Sequence, residues 1–170
     1  NLKGGIDWVD GIAEDITERK RIQEALEKSE ASYRELFNNS VVGIYQSTPE
    51  GRYLKANPAL ARIFGFDSPG QMISSVKNIQ ADLYVHPEER ERLKQLFAQN
   101  GIVENFEVEY KHRRGGTFWI SINGKAVKDS AGHILYYEGT AQDITERKIA
   151  QEKLFLERAK YRDLVENMSS

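Results

Sequence analysis

Cysteine is absent from the chain. Its absence excludes disulfides, thiolate nucleophiles, cysteine-ligated zinc, iron–sulfur clusters and any flavin photochemistry that needs a covalent thiol adduct. No apolar run approaches the roughly 20 residues that a bilayer span requires, and the opening "NLKGGIDWVD" has no signal-peptide core. Neither sign of charge dominates: 24 Lys and Arg stand against 26 Asp and Glu, interspersed, so there is no basic footprint for nucleic acid and no acidic tail. These absences predict a cytoplasmic segment with no nucleic-acid partner and no membrane contact of its own.

Catalytic signatures are missing too. There is no phosphate-cradling Gly-Lys loop, no nucleophile elbow and no HExxH, and "RRGG" at 113–116 reads as a hairpin turn. His112 and His133 fall in turns, and no two histidines have ligand spacing, so neither a metal site nor a catalytic residue is expected.

What the chain does contain is a repeat. "DITERK" occurs at 15–20 and again at 143–148, and the likeness extends without a gap from Gly11 and Gly139, with Gln23/Gln151, Leu26/Leu154, Tyr33/Tyr161 and Leu36/Leu164 in step. Upstream, "IDWVDG" and "ILYYEG" share hydrophobic character and an acidic-Gly ending, so each hexapeptide is expected to close a strand. Asp15 with Glu18, and Asp143 with Glu146, have the spacing of a helix cap and its third-position partner. The hexapeptide therefore reads as a switch from strand to helix.

In the helix expected next, Ile22, Leu26, Ser29, Tyr33 and Leu36 are spaced four, three, four, three, and Ala150, Leu154, Glu157, Tyr161 and Leu164 repeat the pattern. That spacing fits either a weak coiled-coil seam between two copies or an amphipathic helix lying on its own domain.

Between the repeats, "VVGIYQSTPEGRYLKAN" predicts a hairpin turning at "TPEG". Asn57 and Pro58 open a short helix that Gly65 stops, and a helical turn follows around "SPGQMI". "HPEERERLKQLFAQNG" is a clear helix with Leu93, Leu96 and Phe97 on one face. Phe106, Val108 and Tyr110, then Phe118, Ile120 and Ile122, alternate with polar neighbours as half-buried strands do, and "ILYYEGTAQ" supplies the last strand. Trp119 falls on the opposite sheet face, where the helix bearing Leu36 and Phe37 is expected to cover it.

Four motifs in this order, "YRELFNNSVVGIYQSTPEGRYLKANPALARIFGF", "VHPEERERL", "RRGGTFW" and "GTAQDITERK", resemble the PAS sensory domain family over about Tyr33 to Lys148. The resemblance implies an α+β fold: a five-stranded antiparallel sheet with helices packed on one face, flanked by N- and C-terminal linker helices. It divides the chain into a terminal strand of a preceding PAS unit (1–16), a linker helix (17–32), a complete PAS domain (33–146) and a linker helix leading to a further unit (147–170).

In the family so resembled, a cup between helices and sheet holds a small ligand or cofactor. Ile44, Ile63, Leu93, Phe97, Phe106, Val108, Tyr110, Ile120 and Ile122 are the candidates to line that cup, or simply to fill it. Asp143, Ile144 and Thr145 are implied as the joint that relays movement to the outgoing helix. His86 stands where similar members also carry histidine whatever their cofactor, so it reads as structural and no haem is expected.

The expectation is a non-catalytic sensory and relay module of a multi-domain signalling protein such as a sensor histidine kinase, dimeric through its linker helices and joined to neighbouring PAS units and an effector. The alternatives are the input domain of a diguanylate cyclase or other regulator, and a ligand-free structural dimerisation spacer.

Overall fold

The computed structural model describes residues 7–168. The chain divides after Asn39 into two compact units.

The first unit is the helix α1 (Asp7–Asn39). This corrects the strand expected at 1–16: from Asp7 onward the segment is helical, and residues 1–6 lie outside those described. A helix closes its own backbone hydrogen bonds, whereas a strand needs a neighbouring strand to pair with. Asp15 consequently sits inside the helix, where it pairs with Arg19 at 3.3 Å. The helix is also longer than the expected 17–32 and takes in the start of the segment assigned to the complete domain.

The second unit begins with a hairpin of β1 (Gly43–Ser47) and β2 (Tyr53–Ala56). Its turn is closed by Gly51 N–H to Thr48 O at 3.0 Å. Then come α2 (Pro58–Ile63), α3 (Pro69–Ser75) and α4 (Ile79–Leu83), each opened by a polar cap: Asn57, Ser68 and Asn78. The sequence reading missed α4, whose five residues are too few to show a period.

The helix α5 (Pro87–Asn100) ends at Gly101, whose φ of 74° suits a residue without a Cβ. Three long strands complete the unit, β3 (Ile102–Lys111), β4 (Thr117–Lys128) and β5 (Ile134–Asp143), and α6 (Thr145–Met168) leaves it.

The strands form one antiparallel sheet in the order β2-β1-β5-β4-β3. This is the five-stranded sheet with inserted helices that the resemblance implied. One face is apolar and the helices inserted between β2 and β3 bury it, with Leu60, Phe64, Met72, Tyr84, Leu93, Phe97 and Ile120 each at most 2% exposed. At about 25 cal/mol per Å2 of apolar surface, each such side chain contributes about 1.5–3 kcal/mol to holding helices on sheet.

Asn57 ties the two layers together. It is fully buried, its Oδ1 accepts from Leu60 N–H and Ile44 N–H, each at 2.9 Å, and its Nδ2 donates to Val42 O at 2.9 Å. Two of its partners belong to the β1 segment and one to α2, so the cap is also the bolt between them.

Candidate functional site: the cup and the strand-to-helix joint

Seven of the nine cup candidates, Leu93, Phe97, Phe106, Val108, Tyr110, Ile120 and Ile122, belong to the buried cluster between helices and sheet. Ile63 packs at its margin. Ile44 does not join them: β1 buries Gly43, Tyr45 and Ser47, and leaves Ile44 half-buried on the alternate face. The strand period of two allows only one parity inward, and that parity is set by close packing at Gly43. A Cβ there would stand 2.7 Å from Leu60 Cδ1.

Several inward residues escaped the sequence reading. Tyr84 is fully buried and its ring centroid lies 4.5 Å from that of Tyr110. Tyr45 and Tyr53 meet edge-on at 6.4 Å. Arg90 is 4% exposed, on the same buried stripe of α5 as Leu93 and Phe97. The signal for it was present, because three and seven residues of helix bring a side chain back to nearly the same face. In the sequence reading that face comprises Leu93, Leu96 and Phe97, with Arg90 unassigned.

The cup is therefore not uniformly apolar. Burial pushes the Tyr45, Tyr53, Tyr84 and Tyr110 hydroxyls up, so all four are neutral near pH 7. Arg90 stays protonated: its pKa lies above the ordinary value, with burial working against the charge and the hydroxyls of Tyr84, Tyr110 and Tyr45 favouring it without supplying a counter-ion near pH 7.

The joint lies on the other side of the sheet. β5 ends at Asp143 and α6 begins at Thr145, with the buried Ile144 between them. Asp143 Oδ1 accepts from Thr145 N–H at 2.9 Å and from the Thr145 hydroxyl at 2.6 Å. Thr145 Oγ1 in turn accepts from Trp119 N–H at 3.0 Å, and Ile144 N–H donates to Trp119 O at 2.9 Å. Asp, Ile and Thr thus fasten the first turn of α6 to the backbone of β4.

Charges reinforce the fastening. Arg147 Nη2 lies 2.6 Å from Glu107 Oε1, and Lys148 Nζ meets the other Glu107 oxygen. Hydrogen bonds from Lys148 and then Arg147 hold the Glu107 carboxyl below its ordinary range. The Lys148 ammonium also stands 4.5 Å above the Trp119 ring. Lys148 covers Trp119 because α6 starts beside β4.

The histidines keep apart. His86 precedes α5 with no side-chain capping bond and stands 3.8 Å from Glu88. His133 is exposed beside Asp129 at 3.2 Å. His112 departs from the expected solvated turn: it is half-buried, edge-on to Phe118 at 5.6 Å, and Gly65 leaves it room. Among the described residues no three His, Asp or Glu side chains gather as metal ligands.

A five-stranded antiparallel sheet cupping short helices, with a capped helix leaving its central strands, defines a sensory-domain architecture. The PAS domain profile matches residues 39–146, and the chain belongs to that family. The sensor histidine kinase TmoS of Ectopseudomonas mendocina is 32% identical over 146 residues, covering 82% of this chain and 14% of TmoS. The two-component sensor PprA of Pseudomonas aeruginosa is 24% identical, covering 97% of this chain and 18% of that protein. The chain thus spans less than a fifth of either relative. Among solved structures, a sensory box histidine kinase/response regulator from Burkholderia thailandensis superposes with a TM-score of 0.59 at 22% identity, over 77% of this chain and 98% of that one.

Proposed function

We propose that this chain is a sensory relay segment of a signal-transduction protein of the sensor histidine kinase kind, in which a change inside the cup reaches α6 through the Asp143–Ile144–Thr145 joint. Family membership and likeness to two sensor proteins support the signalling role. The observation that carries the relay is the bond from Trp119 N–H to Thr145 Oγ1. Trp119 is flanked in β4 by Phe118 and Ile120, which face the cup, so displacement of those side chains moves a backbone group bonded directly to the outgoing helix. A ligand that binds two arrangements of the cup unequally shifts their ratio about tenfold for each 1.4 kcal/mol of difference.

The segment itself is non-catalytic in this reading, and the effector is supplied by another part of the parent protein. Cytoplasmic placement belongs to the same proposal; no helix among the described residues is long and apolar enough to cross a membrane.

A second copy of the chain is the proposed partner of the linker helices. Ile22, Leu26 and Leu36 of α1 are each more than half exposed, as is Leu164 of α6, at the seam positions read from the sequence.

The test is the output of the full-length protein with Asp143→Ala and Thr145→Val, alongside hydrogen exchange across α6. Altered output with faster exchange in the first turns of α6 and a retained sheet is expected. Unaltered output from correctly folded variants defeats the relay. Sedimentation of the chain and of Leu26→Glu addresses the dimer: a dimer that the substitution dissociates is expected, and a monomer at every concentration leaves the spacer and relay roles without a seam.

A further inference from the structure

Arg90 has no place in an apolar core. It projects from the buried face of α5, and its Nη2 is enclosed without a hydrogen-bond partner, as are the Tyr84 hydroxyl and Ser47 Oγ. No carboxylate forms an ion pair with it among the described residues, and the groups around it are the neutral hydroxyls of Tyr84, Tyr110 and Tyr45. The guanidinium carbon stands 5.5 Å from the centroid of the Tyr137 ring. Ser47 pairs in register with that same Tyr137, so its orphaned hydroxyl belongs to the same end of the cup.

The chemistry of the cluster is one-sided. A buried cation needs a counter-charge, and a cation–π contact offsets only part of its desolvation. The surrounding phenols, held neutral by burial, are hydrogen-bond donors and not counter-ions. The enclosed Arg90 N–H, the Tyr84 O–H and the Ser47 hydroxyl all lack a partner at good hydrogen-bond geometry; Tyr84 interacts only loosely with Arg90 and Tyr110, so an acceptor placed among them would complete the set.

We propose that this cluster is the binding site for a short-chain monocarboxylate, its two oxygens facing the Arg90 guanidinium and the Tyr84 hydroxyl and its alkyl end directed into the apolar cup. A guanidinium presents parallel N–H groups that match a carboxylate in one plane. One cation balances one charge, which favours a monoanion over a phosphate or a dicarboxylate. Leu93 and Phe97, one and two turns along the same helix face, and Tyr137, stacked on Phe97 at 4.9 Å, are the apolar side chains next to Arg90, and a short tail would be accommodated by their rearrangement. The proposal rests on the reading of the chain as a ligand-gated relay and supplies the class of ligand.

The experiment titrates the chain with acetate, propionate and butyrate at constant ionic strength, by calorimetry and by thermal unfolding, with propionamide and chloride as controls. Saturable binding of at least one carboxylate, with a rise in Tm that neither control reproduces, is expected. Arg90→Met should weaken it by at least about thirtyfold, and Tyr84→Phe by about tenfold. Absence of saturation with all three acids, an equal response to propionamide or chloride, or undiminished binding in Arg90→Met overturns the site. Should Arg90→Met fail to fold, Tyr84→Phe decides, and unchanged affinity there overturns it equally. The relay fails differently: Thr145→Val should leave carboxylate affinity intact while altering output. A chain that binds no carboxylate but still responds to Thr145→Val loses the ligand and keeps the joint.

Discussion

The hydroxyl of Thr145 accepts a hydrogen bond from the backbone N–H of Trp119 while donating one to Asp143, so a single side chain connects the end of β5, the interior of β4 and the first turn of α6. Thr145→Val keeps the shape and removes both bonds. It leaves the Trp119 N–H without its partner, a loss of about 1–3 kcal/mol. Urea denaturation should show that loss, and exchange of the Trp119 amide should accelerate; an unchanged midpoint would mean that water replaces the hydroxyl at no cost.

Asp143→Ala should cost less. The carboxylate is exposed and serves as a cap, for which about 1 kcal/mol is usual. Its effect should concentrate in the helicity of α6, read by residue-level exchange, with the core cluster unaltered. A uniform loss across the sheet would show that Asp143 does more than cap.

Asn57 makes a sharper stability test. Asn57→Ala abolishes three hydrogen bonds, one buried and two part-buried, for a loss of about 3 kcal/mol, whereas Ser68→Ala removes only an exposed cap worth about 1 kcal/mol. Equal shifts of the two in a denaturation series would contradict the tie between β1 and α2.

The Glu107 bridge predicts a pH dependence. Because its folded carboxyl lies below the ordinary range, its contribution is present above the unfolded value of about 4.3 and is lost as pH falls through the depressed folded one. Glu107→Gln should therefore flatten the acid limb of the stability curve and loosen the first turn of α6 even at neutral pH. A mutant curve parallel to that of the parent protein throughout would show that Arg147 and Lys148 contribute nothing there.

The repeat itself offers a paired experiment. A Cβ on Gly139 would stand 2.1 Å from Asn123 O, so Gly139→Ala must push β5 from β4 and destabilise the sheet. Gly11 occupies the matching repeat position but lies inside α1, where Gly→Ala favours a helix by about 0.5–1 kcal/mol. Opposite signs are expected in thermal unfolding followed by circular dichroism, and a destabilising Gly11→Ala would argue against the helix at that position.

Much of the fold was legible in local patterns. Alternation in "FEVEY" and "FWISI" announced β3 and β4, Asn57-Pro58 announced α2, and the stripe through Leu93 and Phe97 announced α5, because each rests on a period or a cap written within a few residues. The cup was half legible. Aliphatic residues were recognised as inward, but Ile44 was placed with them, since a short strand between a glycine and a tyrosine does not declare which parity is buried. Arg90 and Tyr84 were missed because polar residues enter a core only where distant neighbours accommodate them.

By itself, the sequence determined that Asp, Ile and Thr recur with a cap's spacing, that five strands and their helices alternate in a given order, and that no thiol chemistry is available. It did not determine what "DITERK" does. Its second copy ends a strand and starts a helix because β4 offers Trp119 to receive Thr145, while the first copy runs through the middle of α1 with Asp15 bridged to Arg19. A hexapeptide with both capping and helical propensity takes whichever form its surroundings stabilise, and tertiary hydrogen bonds to a neighbouring strand outweigh the small differences in local preference.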